Sequence, residues 1–296
     1  MKKTIFYASL LLLGGLLIQS CSKDELTNPL LTTEQTPSDN NALLTNTKLK
    51  NEQILVSENL LENLRFANIK NPYDYIGRKH NELVYELVSM DYGTLTGYDL
   101  EEAVKSNTQI LIEQEYGADN TINLDVLNTI QGYQGLYSDI NFDTEYEQIL
   151  SVSGLSSQAS GFIASYMNDA IELSQNIKSG ISNPLINAER PALVLRQEFF
   201  TKLVLMENQY LTNLASSTIS SDEKQIISTT FAILRYSAAM NTNDEDTPIP
   251  TLSRRKWWII GADVAGGVIG GFVGGVLGVL QGAAAGSGIA VAVTTP

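Results

Sequence analysis

Few residues in this chain could do chemistry, and their spacing limits what they could do. There is one histidine, His80, and one cysteine, Cys21. His80 lies in the block Asn71-Pro72-Tyr73-Asp74-Tyr75-Ile76-Gly77-Arg78-Lys79-His80-Asn81, in which Asp74, Tyr73, Tyr75 or the following Glu82 would have to orient the imidazole if it acted as a base. No nucleophile stands at a recognisable spacing from it. Ser156, Ser157 and Ser160 lie near glycines but form no Gly-x-Ser-x-Gly elbow. Asp143, Glu145 and Glu147 alternate like the start of a calcium loop, yet the glycine at its sixth position and the late glutamate are missing. Glu101, Glu102, Glu113 and Glu115 read as solvated helix surface. No phosphate loop and no Gly-x-Gly-x-x-Gly after a strand is present. With one thiol there is no internal disulfide, and a metal site would rest almost wholly on carboxylates. The residues thus name no catalytic group, metal or cofactor. An enzyme using His80 is the weakest functional reading.

The elements that hold these residues are set by hydrophobic period. Ile76, His80, Leu83, Leu87 and Met90 recur at helical spacing, which puts His80 on an apolar stripe, where a histidine is usually a buried, hydrogen-bonded residue. Leu60, Leu61, Leu64 and Ile69 mark an earlier amphipathic stretch that Asn71-Pro72 closes. Asp99 and Glu102 read as a capping pair for a helix running to Gly117. Phe162, Tyr166, Asp169, Leu173 and Ile177 share a face of a helix that stops near Gly180. A helix starting at Pro191 carries apolar residues on two faces, from Leu195 and Phe199 to Tyr210, and is expected to be central. Ser220 and Glu223 form a capping box for the next helix, which uses Ile227, Phe231, Leu234 and Ala238. No long strand alternation survives, so residues 51–240 are expected to form an irregular α-helical bundle. Residues 241–256 read as a linker that isolates the C-terminal tail from that bundle.

The ends carry the other signals. Lys2 and Lys3, an apolar run from Ile5 to Ile18 and then Gln19-Ser20-Cys21 have the layout of an export leader. The box resembles a bacterial lipoprotein signal, which implies cleavage after residue 20 and lipid attachment at Cys21. Ser22-Lys23-Asp24-Glu25 resembles the acidic surface-export signal of Bacteroidota-type lipoproteins. Residues 21–50, rich in Thr, Asn, Ser and Pro, read as a flexible tether. The chain carries 19 basic and 33 acidic side chains, a net charge of −14, which argues against nucleic acid as a partner.

In residues 257–296 glycine recurs every fourth position. Gly266, Gly270, Gly274, Gly278, Gly282 and Gly286 form one register, with Gly267, Gly271 and Gly275 beside it. Positions four apart stack on one helix face, so the register is a groove without side chains where another backbone can approach. Arg254-Arg255-Lys256-Trp257-Trp258 has the composition of an interfacial anchor. Val264–Leu280 gives about 25 Å of uncharged helix, near the lower limit for spanning a bilayer. A longer helix through Val293, or a helical hairpin turning near Gly286, fits equally. Asp263 needs a hydrogen-bonding partner if it is packed inside an assembly. The expected fold is therefore mainly α: a bundle followed by a glycine-zipper helix or hairpin.

The block Tyr73–Asn81, Leu234-Arg235-Tyr236-Ser237, and Trp257-Trp258 with Ala262-Asp263-Val264-Ala265-Gly266-Gly267 together resemble a group of Bacteroidota-type surface lipoproteins ending in a glycine zipper. The resemblance implies the domain order and brings no catalytic role. In composition the tail is also similar to small pore-forming bacteriocins. These signals support three readings. The first is an outer-membrane, surface-exposed lipoprotein presenting a self-associating, membrane-active tail, with Trp257, Trp258 and the six-glycine register at its membrane or oligomer interface. The second is a non-enzymatic binding or structural lipoprotein that uses the tail only to form homo-oligomers. The third is the His80 enzyme. A further alternative for the tail is a buried hairpin docked on its own bundle, without membrane contact.

Overall fold

The computed structural model describes residues 66–125, 127, 150, 153–181, 192–242 and 254–294, all within one compact unit, residues 53–296. Cys21, the leader, the tether, the Leu60–Leu64 stretch, Pro191 and the Asp143–Glu147 alternation lie outside them. Among the described residues there are six α-helices and no strand. They are α1 (Asp74–Ser89), α2 (Gly97–Tyr116), α3 (Ser157–Ile181), α4 (Ala192–Ser216), α5 (Ser221–Asn241) and α6 (Arg254–Thr294), with a 3-10 turn at Ala118–Asn120. The fold is the helical bundle with a long apolar C-terminal helix that the hydrophobic period predicts.

Local signals set several boundaries. Ser220 Oγ accepts from the Glu223 amide at 3.2 Å and bonds Glu223 Oε2 at 2.9 Å, so the capping box opens α5. Asp99 and Glu102 do not cap α2. That helix begins at Gly97 after an extended Thr96, Asp99 falls in its first turn, and Glu102 bonds Lys105 instead. Ser156 Oγ accepts from the Ala159 amide at the start of α3. Ile69 lies in a turn and is 97% exposed, outside any apolar stripe.

The central element is α5, a correction to the expectation for the helix that follows Pro191. Every residue from Ile226 to Ala239 is buried, including Ser228, Thr229, Thr230, Arg235 and Ser237. Its amphipathic pattern is weak because these polar side chains are satisfied within the protein. The hydroxyls of Ser228, Thr229 and Thr230 bond the carbonyls one turn back, at 2.7 to 2.8 Å. On one side of α5 the main core joins α3, α4 and the start of α6 through Tyr166, Phe199, Phe200, Phe231 and Val264. On the other, Ile76, Leu83 and Leu87 of α1 pack with Ile233 and with Leu280, Ala283 and Ala284 of α6. Residues 257–294 are thus not isolated by the preceding segment; they are built into the bundle against α5, α1 and α2.

Within α6 the helix breaks at Gly274 (φ −127°, ψ 17°) and Gly275 (φ 59°, ψ −143°), dividing it into two arms. The positive φ at Gly275 is a conformation that side-chain-bearing residues rarely adopt. The arms pack on each other through glycine. A Cβ at Gly270 would lie 2.9 Å from the Gly278 carbonyl carbon and nearer still to its oxygen; a Cβ at Gly266 would meet the Gly282 carbonyl in the same way, and one at Gly286 the Ala262 oxygen at 2.5 Å. These pairs are symmetric about Gly274. The turn therefore falls at Gly274, not near Gly286, because folding the four-residue register there sets Gly270 against Gly278, Gly266 against Gly282, and Gly286 against the small Ala262. The segment Lys256–Val291 is, by length and composition, apolar enough to cross a membrane, and most of it is buried within the protein.

Candidate functional site

The three motifs that stand out in the sequence, far apart along the chain, meet around one turn of α5. Arg235, Tyr236 and Ser237 follow one another there and point into two polar clusters that share a helix but differ in character.

The first cluster is charged and saturated. Arg235 is fully buried, yet its Nε donates to Glu207 Oε2 of α4 at 2.6 Å, Nη2 donates to Asp74 at the start of α1, and Nη1 donates to the Phe66 carbonyl. Glu207 also accepts from Asn71 Nδ2 at 2.7 Å and from the Tyr166 hydroxyl at 3.4 Å. Asp74 accepts in addition from the Tyr236 hydroxyl, at 3.1 Å, and from the Asn68 amide, at 2.9 Å. Burial works against the guanidinium charge, but the attraction and hydrogen bond of Glu207 and the charge of Asp74 outweigh it and hold the Arg235 pKa above its ordinary value. Burial, with the Glu207 charge, likewise raises the Tyr166 phenol well above its usual range. A guanidinium whose fork is filled from three elements ties α1, α4 and α5 together.

The second cluster is incompletely bonded. His80 of α1 and Asp263 of the first arm of α6 are both fully buried, with His80 Nε2 3.7 Å from Asp263 Oδ2. His80 Nδ1 pairs with Asn81 Oδ1 at 3.1 Å, and Asn81 Nδ2 donates to the Tyr236 carbonyl at 2.8 Å, fixing the ring against α5. Ser237 Oγ hydrogen-bonds Asp263 Oδ2. Ser287, on the second arm, lies near enough to favour the carboxylate form, but its hydroxyl makes no hydrogen bond. His80 Nε2 and Asp263 Oδ1 are also buried without a partner. Burial pushes the Asp263 carboxyl up to about 8, with Ser237 and Ser287 pulling the other way. Burial pushes the His80 imidazole down to about 4, against the opposing help of Asn81 and the Ala283 carbonyl.

His80, Asp263 and Ser237 have the residue types of a hydrolytic triad but not its order. The serine is bonded to the carboxylate, not to the imidazole, and all three are sealed from solvent. The groups next to His80 in sequence are engaged elsewhere: Asp74 with Arg235, and Glu82 with Lys79 at 2.9 Å. Its facing carboxylate comes instead from Asp263. The sequence signal was Asp263 itself, the lone acid in an apolar run, whose required partner proves to be Ser237.

The tail residues singled out by the sequence occupy different surroundings from those expected of an interface. Trp257 is buried in the main core beside Ile260 and Val264, and Trp258 is half-buried. Gly266, Gly270, Gly278, Gly282 and Gly286 face the opposite arm of their own hairpin, and Gly274 makes the turn against Ile122. Gln281 holds the second arm from outside: its Oε1 accepts from the Ile122 amide at 2.8 Å and its Nε2 donates to the Asn120 carbonyl at 2.7 Å. At the hairpin tip Phe272 and Val273 are more than half exposed. Among the described residues no group of three or more His, Cys, Asp or Glu side chains could hold a metal ion. Comparison with protein-family models, with curated proteins and with solved structures finds no match.

Proposed function

We propose that this chain is a non-enzymatic binding or structural module, attached through a lipidated Cys21 to the outer membrane and displayed at the cell surface, with the glycine hairpin serving as the core of its helical domain. The observation that carries this reading is the hairpin's packing. Its glycine face is filled by its own second arm, its apolar flanks lie in the cores shared with α1, α3, α4 and α5, and Asp263 and Gln281 are bonded to the bundle. A groove already occupied by its own chain leaves no edge for a second copy. Six of the exposed large apolar residues, Tyr75, Tyr85, Val88, Leu95, Tyr98 and Ile110, fall on α1, α2 and their connection, which supports that region as the place where a partner would bind. The test is fractionation with surface proteolysis: wild type should partition with the outer membrane and be shaved from intact cells, whereas Cys21→Ser should be released in soluble form. A Cys21→Ser chain that stays in the membrane removes the anchor from the proposal.

A second reading, a membrane-active tail stored inside the bundle, is favoured by one observation: each arm has about 20 residues, or roughly 30 Å of helix, matched to a bilayer core, and the exposed tip is Phe272-Val273. Dye release from anionic or neutral liposomes by the intact chain would support it, and sealed liposomes would remove it.

A further inference from the structure

The second polar cluster leaves two ionisable groups face to face in a dry site, and neither has the full set of partners that Arg235 has. They come from different elements, α1 and the hairpin, and only seating of the hairpin, in which Asp263 also takes its bond from Ser237 of α5, brings them together. The groups facing the pair are few. α1 supplies His80 and Asn81, α5 supplies Ser237, and the two arms supply Asp263, Ser287 and the Ala283 carbonyl. None but His80 and Asp263 titrates. Arg235, Asp74 and Tyr236 are turned into the other cluster, and no further acid or base from α2, α3 or α4 contributes to either group's environment. Three buried polar atoms without partners gather around the carboxyl: His80 Nε2, Asp263 Oδ1 and Ser287 Oγ.

We infer that His80 and Asp263 form a one-proton latch, which holds the hairpin seated against α1 and α5 with a single proton on the pair and loosens as rising pH reaches the range in which the open pair would release that proton. With one proton between them the pair has no net charge. With none, a carboxylate is buried without a cation; with two, an imidazolium is buried without an anion; either is costly in a site shut from water. The signs come from comparing seated and open states. Open and solvated, Asp263 ionises near 3.8 and His80 near 6.5; seated, burial moves them to about 8 and about 4. Between about pH 4 and 6.5 both states hold one proton, on Asp263 when seated and on His80 when open, so seating is indifferent to pH. From 6.5 to 8 the seated state keeps its proton and the open state has none. Seating therefore weakens tenfold per pH unit, about thirty-fold over that interval.

The latch belongs to the hairpin in water and stands whether or not the domain binds a partner or meets a membrane. The chain's two tryptophans, Trp257 and Trp258, lie at the base of the first arm and report its seating. The experiment is urea unfolding of the full chain followed by their emission, from pH 4.5 to 8.5. Wild type should be level to 6.5 and then lose about thirty-fold in its folding constant by pH 8. Asp263→Asn should lose the drop above 6.5 and weaken below it, as His80 alone takes up a proton on opening. His80→Gln should do the reverse, strengthening about tenfold per unit as pH falls from 8 towards 4. A wild type that is level from 6.5 to 8, or an Asp263→Asn chain with an unchanged profile, overturns the latch. Should His80→Gln not fold, the comparison of wild type with Asp263→Asn decides alone.

Discussion

Adding one methyl group at Gly270 is the sharpest probe of the hairpin. Two effects oppose each other in Gly270→Ala. Alanine favours helix over glycine by about 1 kcal/mol in an exposed helix interior. Against this, the new Cβ would sit 2.9 Å from the Gly278 carbonyl carbon and 3.1 Å from the Gly282 Cα. Both obstacles are backbone, which cannot rotate aside as a side chain would, so the arms must part by roughly 1 Å. That movement strips contact along the whole glycine face and pushes the flanks into the surrounding cores, an overpacking cost of about 3 kcal/mol, at the upper end of the usual range. The net expectation is a loss of about 2 kcal/mol.

Gly161→Ala supplies the control. Gly161 lies within α3, exposed, and a Cβ there would have no neighbour within 4 Å, so only the helix preference acts and the variant should gain about 1 kcal/mol. The same chemical change at two glycines thus separates by about 3 kcal/mol, which for a domain of this size is roughly 10 °C in Tm. Circular dichroism melts of both variants measure it. The melts should be independent of protein concentration, since the contact is within one chain. Gly270→Ala as stable as Gly161→Ala would refute backbone contact between the arms. A destabilisation that fades on dilution would show that the glycine face meets a second copy instead.

The polar clusters and the caps yield further expectations. Arg235→Met should cost about 3–5 kcal/mol in urea unfolding, because it leaves Glu207 buried opposite no cation; Arg235→Met combined with Glu207→Gln should recover part of that loss, and no recovery would deny their coupling. Ser220→Ala should cost about 1 kcal/mol through the lost α5 cap, visible as a lower urea midpoint at unchanged slope. Gly275→Ala should destabilise through backbone strain alone, by about 1 kcal/mol or more, since its φ is 59° and nothing lies within reach of a Cβ; a neutral melt would mean the turn is made differently.

Much of this fold was legible in the sequence where the determinants are local. The four- and three-residue spacing from Ile76 to Leu87 placed His80 on a buried face, and Ser220 with Glu223 marked the start of α5 because a capping box is complete within four residues. The position of α5 was not legible. Ser228, Thr229, Thr230 and Arg235 are residue types that ordinarily lie at the surface, and only the carbonyls one turn back and the acids of α1 and α4 make them compatible with burial. Asp99 and Glu102 illustrate the opposite error: the residue types of a cap were present, but Gly93 and Gly97, both at positive φ, let the chain enter α2 earlier. The tail was half legible. A glycine at every fourth position announces close backbone approach, but the pattern is the same whichever backbone arrives, and the mirror symmetry of the register about Gly274 is satisfied by the chain's own second arm.

That symmetry also determines what separates the two functional readings. The contacts of Gly266, Gly270, Gly278, Gly282 and Gly286 are internal to the hairpin, so they would survive its departure from the bundle intact; what departure must break is the hairpin's outer surface, including Gly274 against Ile122. On that surface lie Ser237 with Asp263, Asn120 and Ile122 with Gln281, and the side chains that join Val264 and Leu280 to α1, α3, α4 and α5. A tail built to self-associate through glycine would instead have to open the hairpin first and give up its most intimate contacts. Gln281→Leu therefore discriminates. It removes two outer bonds and makes the second arm more apolar without touching the glycine face. If the hairpin is a stored membrane element, the substitution should increase liposome leakage while Gly270→Ala, which breaks the hairpin itself, abolishes it. If the hairpin is the permanent core of a display module, both substitutions lower the urea midpoint and neither produces leakage.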